Sequence, residues 1–308
     1  MPNAINTNLG LPCNILVTGA SGQLGSEIRY LSGNMGNTKP KASELTHSLN
    51  ANFIFVTRNE LDMQNFSEVE NFCQSNNINT IINCAAYTAV DKAEQEPDLA
   101  NAINHLAVEN LAKISKQQSI SLIHISTDYV FDGTNHKPYK ETDVTNPQSV
   151  YGKTKLDGEL AMKALNPTKS IIIRTSWVYS EFGNNFVKTM LRLGRERDDL
   201  SVVCDQIGSP TNARDLAGVI LKVIPQLKNE NVETYNFSNA GVCSWYDFAK
   251  AIFEINKIEC NVNPIPSEAY PTPAKRPYYT VMDKTKIEEL CGFNIVHWRV
   301  SLNAATVF

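Results

Sequence analysis

Five short apolar, β-branched runs recur along the first part of the chain, each separated from the next by a stretch of helical length. They are Asn14–Val17 (NILV), Phe53–Val56 (FIFV), Thr80–Cys84 (TIINC), Ser121–Ile125 (SLIHI) and Ser170–Ile173 (SIII). Mixed-polarity segments at 26–32, 65–76, 98–118 and 149–165 lie between them. Continuous apolar runs, rather than alternating ones, are what strands buried on both faces require. Strands that alternate with helices form βαβ units, and their right-handed crossovers build a parallel sheet. The spacing predicts an α/β fold with a doubly wound parallel sheet of the Rossmann type.

The alternation weakens after about Trp177. Pro264, Pro266, Pro271, Pro273 and Pro277 disfavour regular structure over 264–277. The expected division is a disordered lead-in at 1–12, a dinucleotide-binding domain of 13–176 plus 207–228, and a smaller discontinuous α/β substrate domain of 177–206 plus 229–308. The polar stretch 33–52 reads as an inserted loop.

Composition excludes several classes. A net charge of −4, with no block of five basic residues, argues against a nucleic-acid binder. The seven cysteines are scattered and include no C-x-x-C pair, which disfavours a disulfide framework or a zinc site. No two of the five histidines stand four apart as a metal pair would. The N-terminal MPNAINTNLGLP has no basic region followed by an apolar one, and no apolar run reaches the ~18 residues of a membrane span. These features lead us to expect a cytoplasmic protein.

Chemistry enters at Thr18-Gly19-Ala20-Ser21-Gly22-Gln23-Leu24-Gly25, between the first strand and a helix. In that context Gly19 permits the tight turn, Gly22 lets backbone N–H groups approach a pyrophosphate, and Gly25 lets helix and strand pack closely. The helix N-terminus adds partial positive charge for the phosphates. At the end of the second strand stands Arg58, where an acid would bond the ribose 2′-hydroxyl of NADH. A cation there suits a 2′-phosphate and favours NADPH over NADH, the alternative being a solvated surface arginine. Asp62 either meets the adenine or caps the following helix.

Ser126-Thr127-Asp128 closes the fourth strand, where parallel sheets bind ligands, and the Thr127 hydroxyl is suited to polarise a carbonyl. Downstream, Tyr151 and Lys155 stand four apart and share a helical face. A nearby ammonium favours the phenolate, so Lys155 is expected to lower the pKa of Tyr151 and fit it for proton transfer. Such a pair alone is common by chance. Its conjunction with the glycine loop and the strand-end hydroxyls points to a nicotinamide-dependent carbonyl reductase.

With these residues in place, the chain resembles the extended short-chain dehydrogenase/reductases, and among them the dTDP-4-dehydrorhamnose reductases. The resemblance runs from about Asn14 onward. It rests on TGASGQLG (18–25), NCAAYTAVDKAEQEP (83–97), STDYVFDG (126–133), VYGKTKLDGE (150–159), RTSWVY (174–179), GNNFVKTMLRL (183–193), DQIGSPT (205–211) and AYPTPAKRP (269–277). It implies reduction of the 4-keto group of dTDP-4-dehydro-β-L-rhamnose to dTDP-L-rhamnose, a cell-envelope sugar donor, in a homodimer.

The same resemblance implies Tyr151 as proton donor, Lys155 as its partner and Thr127 as carbonyl polariser. It puts Gly22, Gln23 and Leu24 on the pyrophosphate, Asp62 and Met63 on the adenine, and Ala86, Tyr87 and Thr88 on the middle of the cofactor, with Lys155 also on the ribose. Thr127, Asp128 and Trp177 would contact the sugar; an indole stacks on the apolar face of a hexose. Lys275 and Arg276 are candidates for the nucleotide diphosphate, or form a solvated basic pair. Tyr87 stands where some relatives carry histidine. Glu27 and Glu196 match two of the glutamates that hold Mg²⁺ in some relatives, but no third is evident, and the metal is left open.

Two other readings compete. A dehydratase of the same superfamily carries Thr-Asp-Glu, whereas Tyr129 follows Asp128 here; an epimerase would retain its cofactor through the cycle. The non-catalytic β regulatory subunit of methionine adenosyltransferase shares the STDYVFDG and YGKTKLDGE runs. It lacks the tryptophan matched here by Trp177 and the GNNF run found here at 183–186.

Overall fold

In the computed structural model, residues 13–34 and 50–305 are described; the lead-in at 1–12 and most of the 33–52 stretch lie outside them. The chain runs β1 (Cys13–Thr18), α1 (Gln23–Leu31), β2 (Ala51–Val56), α2 (Phe66–Ser75), β3 (Ile78–Asn83), α3 (Ala107–Gln118), β4 (Ser121–Thr127), α4 (Val150–Leu165) and β5 (Ile171–Thr175). It continues through α5 (Phe186–Glu196), α6 (Ala213–Val223), β6 (Glu233–Phe237), α7 (Trp245–Asn256), α8 (Thr285–Cys291) and α9 (Trp298–Ala305). Short helices at Val90–Ala93 and Pro97–Asn101 precede α3, joined to it by a π-helical turn at Ala102–Leu106.

All six labelled strands form one parallel sheet in the order β6-β5-β4-β3-β1-β2. Successive side chains on a strand point to opposite faces, and the two cores follow that period. Ile15, Val17, Ile82, Ile123, Ile171 and Ile173 pack on one face with α1, α6 and α8. Leu16, Ile81, Leu122 and Ile172 pack on the other with α2, α3 and α4. The doubly wound parallel sheet expected from the sequence is what forms.

One boundary needs correction. The sequence pattern puts residues 233–237 in the substrate domain, yet they pair with β5 as the sixth strand of the sheet. Their sequence, ETYNF, lacks an aliphatic run because the strand lies at the sheet edge and its Asn236 is engaged in hydrogen bonds to the Tyr139–Glu141 loop. Pro264 also sits within a strand, Asn261–Ile265, which among the described residues pairs with Asp199–Val203 alone. A two-stranded edge tolerates a residue that lacks an N–H. A third core gathers around Phe248, with Val187, Leu191, Leu200, Val262, Trp298 and Leu302.

All seven cysteines are free. Among the described residues, no helix is long and apolar enough to cross a membrane.

Candidate active site

The glycine loop joins β1 to α1 with Gly19 at φ +63°, a left-handed conformation that side chains rarely adopt. A Cβ there would lie 2.7 Å from the Ala85 nitrogen, and a Cβ at Gly25 would lie 2.5 Å from the Gly19 carbonyl. At Gly22, the N-cap of α1, a Cβ would meet only the Gly19 oxygen, at 3.2 Å, so the backbone is left approachable. The three glycines thus serve the turn, the open approach and the close packing. From this loop a cavity of about 400 Å³ extends to Thr57, Arg58, Asp62 and Met63 at the end of β2. Val56, Leu61, Met63, Ile103 and Ala107 give it an apolar wall, and exposed Arg58 stands at its rim. Bare backbone at a helix N-terminus, an apolar wall and a cation fit a phosphorylated adenine dinucleotide.

Asp62 does not cap α2. Asn65 does so, its side chain accepting from the Glu68 amide, while Asp62 accepts from the Gln64 amide at 3.1 Å within the cavity wall. Ala86, Tyr87 and Thr88 line the same cavity, with the Tyr87 hydroxyl turned to Glu96 at 2.7 Å.

A second cavity, of about 570 Å³, shares Gly22, Cys84, Ala86 and Thr88 with the first. It gathers Gln23, Leu24, Thr127, Asp128, Tyr151, Lys155 and Trp177. Ser149 caps α4 by accepting from the Gly152 amide, and Glu94 accepts from the Val150 amide at 2.8 Å, which fixes the first turn carrying Tyr151. The Tyr151 ring meets that of Tyr129 edge to face at 5.5 Å. Thr127 donates to the Asp128 Oδ1 at 3.0 Å.

The electrostatics differ from the expectation. Burial pushes the Tyr151 phenol up to about 12; the Thr127 hydroxyl opposes this and the Asp128 charge adds to it. The expected lowering by Lys155 does not offset it, and Lys155 itself donates to the Ile125 carbonyl at 2.6 Å. Burial lowers Lys155 to about 8, against the pull of Glu159 and Cys84. Burial also raises Asp128 to about 6, despite opposing hydroxyls and amides.

Trp177 adopts φ +48°, unusual for a bulky residue, and is held by stacking on Trp245 at 3.6 Å and by accepting from the Thr211 amide at 3.2 Å. Trp245 lines the cavity and was missed from sequence; the structure shows it opening α7 directly after Ser244, which forms a capping box with Asp247. Asn185 was also missed: it binds the Gln23 side chain at 3.0 Å and so ties the glycine-loop helix to the 183–185 loop. Lys275 and Arg276 line neither cavity. Lys275 reaches Gln148 at 3.5 Å, and Arg276 forks onto both oxygens of Asp91 at 2.9 and 2.7 Å.

The glutamates considered for a metal do not converge. Buried Glu27 accepts from Ser180 at 2.7 Å and from Arg214 at 2.8 Å, and Glu196 pairs with Arg192 on the surface. Among the described residues, no three His, Cys, Asp or Glu side chains could hold a metal ion. Within one chain, the described carboxylates do not form a Mg²⁺ site.

The family model described as the RmlD substrate binding domain matches residues 13–307. The chain belongs to this family. A dTDP-4-dehydrorhamnose reductase of Aggregatibacter actinomycetemcomitans is 42% identical over 297 residues, covering 94% of this chain and 96% of the relative. The crystal structure of a dTDP-4-dehydrorhamnose reductase from Clostridium acetobutylicum is 44% identical with a TM-score of 0.84, covering 95% of this chain and 98% of that one. That of the Bacillus anthracis dTDP-4-dehydrorhamnose reductase in complex with NADP is 38% identical with a TM-score of 0.86, covering 96% and 99%. The family resemblance read from the sequence motifs is borne out.

Proposed function

We propose that this chain is a dTDP-4-dehydrorhamnose reductase, reducing the 4-keto group of dTDP-4-dehydro-β-L-rhamnose to dTDP-L-rhamnose. The observation that carries the reading is the joining of a glycine-loop groove to a cavity holding Thr127, Tyr151, Lys155 and Trp177. Relatives that cover nearly the whole chain bear that name.

NADPH, bound along the glycine loop, supplies the hydride. The chain's own residues do the rest. Gly19, Gly22, Gln23, Leu24 and Gly25 cradle the pyrophosphate, Arg58 the 2′-phosphate, and Asp62 and Met63 the adenine. Ala86, Tyr87 and Thr88 hold the middle of the cofactor, and Lys155 its ribose. Thr127 and Asp128 contact the sugar at its reacting edge, and Trp177, braced by Trp245, offers it a flat apolar face. Tyr151 donates its phenolic proton to O4 as the alkoxide develops. A phenol kept protonated by burial is in the correct state to give that proton at neutral pH. Lys275 and Arg276 lie outside the cavities, and Arg276 is engaged by Asp91.

The reading includes a homodimer in the cytoplasm, with a sheet unit and a smaller unit on either side of the substrate. Free cysteines suit a reducing compartment, and exposed Leu106 and Leu160 offer apolar surface for a partner. The regulatory-subunit reading is disfavoured because Trp177 and Asn185 both line the cavity.

The test is NADPH oxidation against the 4-keto sugar nucleotide. Tyr151→Phe is expected to lower kcat by at least ~10²-fold, the usual size for a lost general acid. A wild-type protein that leaves NADPH unoxidised, or a phenylalanine variant with near-normal kcat, would sink the reading.

A further inference from the structure

Behind Lys155 runs a line of buried polar side chains that the reduction does not use. Thr18, Asn83 and His124, on β1, β3 and β4, are each at most 3% exposed. The Ala85 amide donates to Thr18 Oγ1 at 3.3 Å, and the Thr18 hydroxyl donates to Asn83 Oδ1 at 2.7 Å. Asn83 Nδ2 meets His124 Nδ1 at 3.1 Å, and His124 Nε2 lies 3.4 Å from Lys155 Nζ.

The chemistry of each group gives this line a direction. A reversed Asn83 amide would take away the oxygen to which the Thr18 hydroxyl donates, leaving that O–H facing an NH₂. With Asn83 Oδ1 on Thr18, Nδ2 faces the imidazole, and an amide nitrogen only donates, so His124 Nδ1 must accept. A neutral imidazole has one N–H and one bare nitrogen, so the proton sits on Nε2. Burial and the neighbouring Lys155 keep the ring neutral. Its Nε2–H therefore faces Lys155 Nζ, where an amine can accept it and an ammonium cannot.

We propose that His124 is a positioning residue, locked by Asn83 as the Nε2–H tautomer, that disfavours the charged form of Lys155. The groups facing Lys155 divide by sign. Glu159, one turn on along α4, and Cys84, just after β3, favour the charge; burial and the His124 N–H oppose it. Tyr151 stands one turn earlier on α4. His124 thereby keeps Lys155 close to losing its proton near neutral pH, instead of holding it as an ordinary lysine does. This rests on the proposed reductase reading only in taking Lys155 to be part of the working site.

Two measurements on the full chain, without substrate, decide it. Nitrogen NMR of histidine-labelled protein should find His124 with Nδ1 bare and Nε2 protonated from about pH 6 to 8. The opposite tautomer, or an imidazolium, overturns the proposal. In lysine-labelled protein the Lys155 Cε signal reports its titration directly. His124→Gln presents a carbonyl that can accept from both neighbours, so the Lys155 midpoint should rise by about one pH unit. Thr18→Val frees the Asn83 amide to turn and should move the midpoint the same way, so the test survives a glutamine variant that does not fold. An unmoved or lowered midpoint overturns the proposal. With substrate, the alkaline limb of kcat/KM should shift upward with the midpoint; a merely structural role would lower activity without moving the limb. If the wild type fails to reduce the sugar nucleotide, the reductase reading falls while the two NMR measurements still decide the role of His124.

Discussion

Asp128 is a buried carboxylate that the free protein solvates poorly. Oδ1 accepts from Thr127, but Oδ2 has no partner in hydrogen-bonding geometry. The Thr280 hydroxyl, also without an aligned partner, is close enough only to temper the cost of charge. The folded-state pKa of about 6 lies above the ordinary 3.8, so the folded protein binds the extra proton between those values. The associated stability is complete below 3.8 and is lost as pH rises through about 6; two units correspond to about 3 kcal/mol. Asp128→Asn should therefore unfold at a higher temperature than wild type at pH 7, by about 1–3 kcal/mol equivalent, with the gap closing toward pH 4. Thermal unfolding across that range checks it, and a gap independent of pH would contradict it. The same residue is placed to contact the sugar, so the strain belongs to a site awaiting a hydrogen-bonding ligand. At this scale sequence reasoning went far for Thr127, Tyr151 and Lys155, whose strand-end or i,i+4 positions are local. It failed for Trp245, which lines the cavity stacked on distant Trp177.

Helix α4 carries Tyr151 and Lys155, and two of its glycines set how deeply it sits. A Cβ at Gly152 would lie 2.3 Å from the Tyr129 carbonyl, and one at Gly158 2.2 Å from the Asn104 carbonyl in the π-helical turn. Asn104 in turn holds the Tyr87 backbone at both N–H and C=O and donates to Thr154 on α4, so the turn links the cofactor groove to the helix. Gly158→Ala should cost about 1–3 kcal/mol from overpacking against rigid backbone, although alanine is the better helix former. Gly218→Ala on α6 is the control. Nothing lies within 4 Å of a Cβ there, and the same exchange should stabilise by up to ~1 kcal/mol. Urea unfolding of the two variants should give opposite signs; a neutral or stabilising Gly158→Ala would show that the helix can shift freely. Elements of this kind were legible as helices from their length and mixed polarity between apolar runs, but the π-helical turn was not, since an extra residue in a turn leaves no mark in polarity. Strand β6 escaped for a similar reason: its edge position replaces the aliphatic run with ETYNF.

Across the whole molecule, the glycine-loop helix is fastened to the segments beyond β5. Gln23 binds Asn185. Glu27, two per cent exposed at its side chain, accepts from Ser180 and Arg214, and Arg214 also pairs with Glu181 and lies over the Tyr30 ring. These ties join residues far apart in sequence, and nothing in composition or spacing foretold them. The family resemblance offers Glu27 as a possible metal ligand, whereas burial gives it a different role, in which Arg214 and Ser180 satisfy its carboxylate where water cannot reach it. Removing one partner of a buried pair leaves the other uncompensated at a cost of about 3–5 kcal/mol. Arg214 is 37% exposed and keeps Glu181, so the loss is smaller, about 2 kcal/mol. Glu27→Ala should lower stability by that amount and also weaken NADPH binding, because α1 carries the glycine loop at its N-terminus and Glu27 on its second turn. A double-mutant cycle with Arg214→Ala, read by urea unfolding, should return a coupling of at least ~1 kcal/mol. Additive single effects would mean that the two side chains are merely adjacent, and that Gln23 and Asn185 alone join the glycine loop to the wall of the substrate cavity.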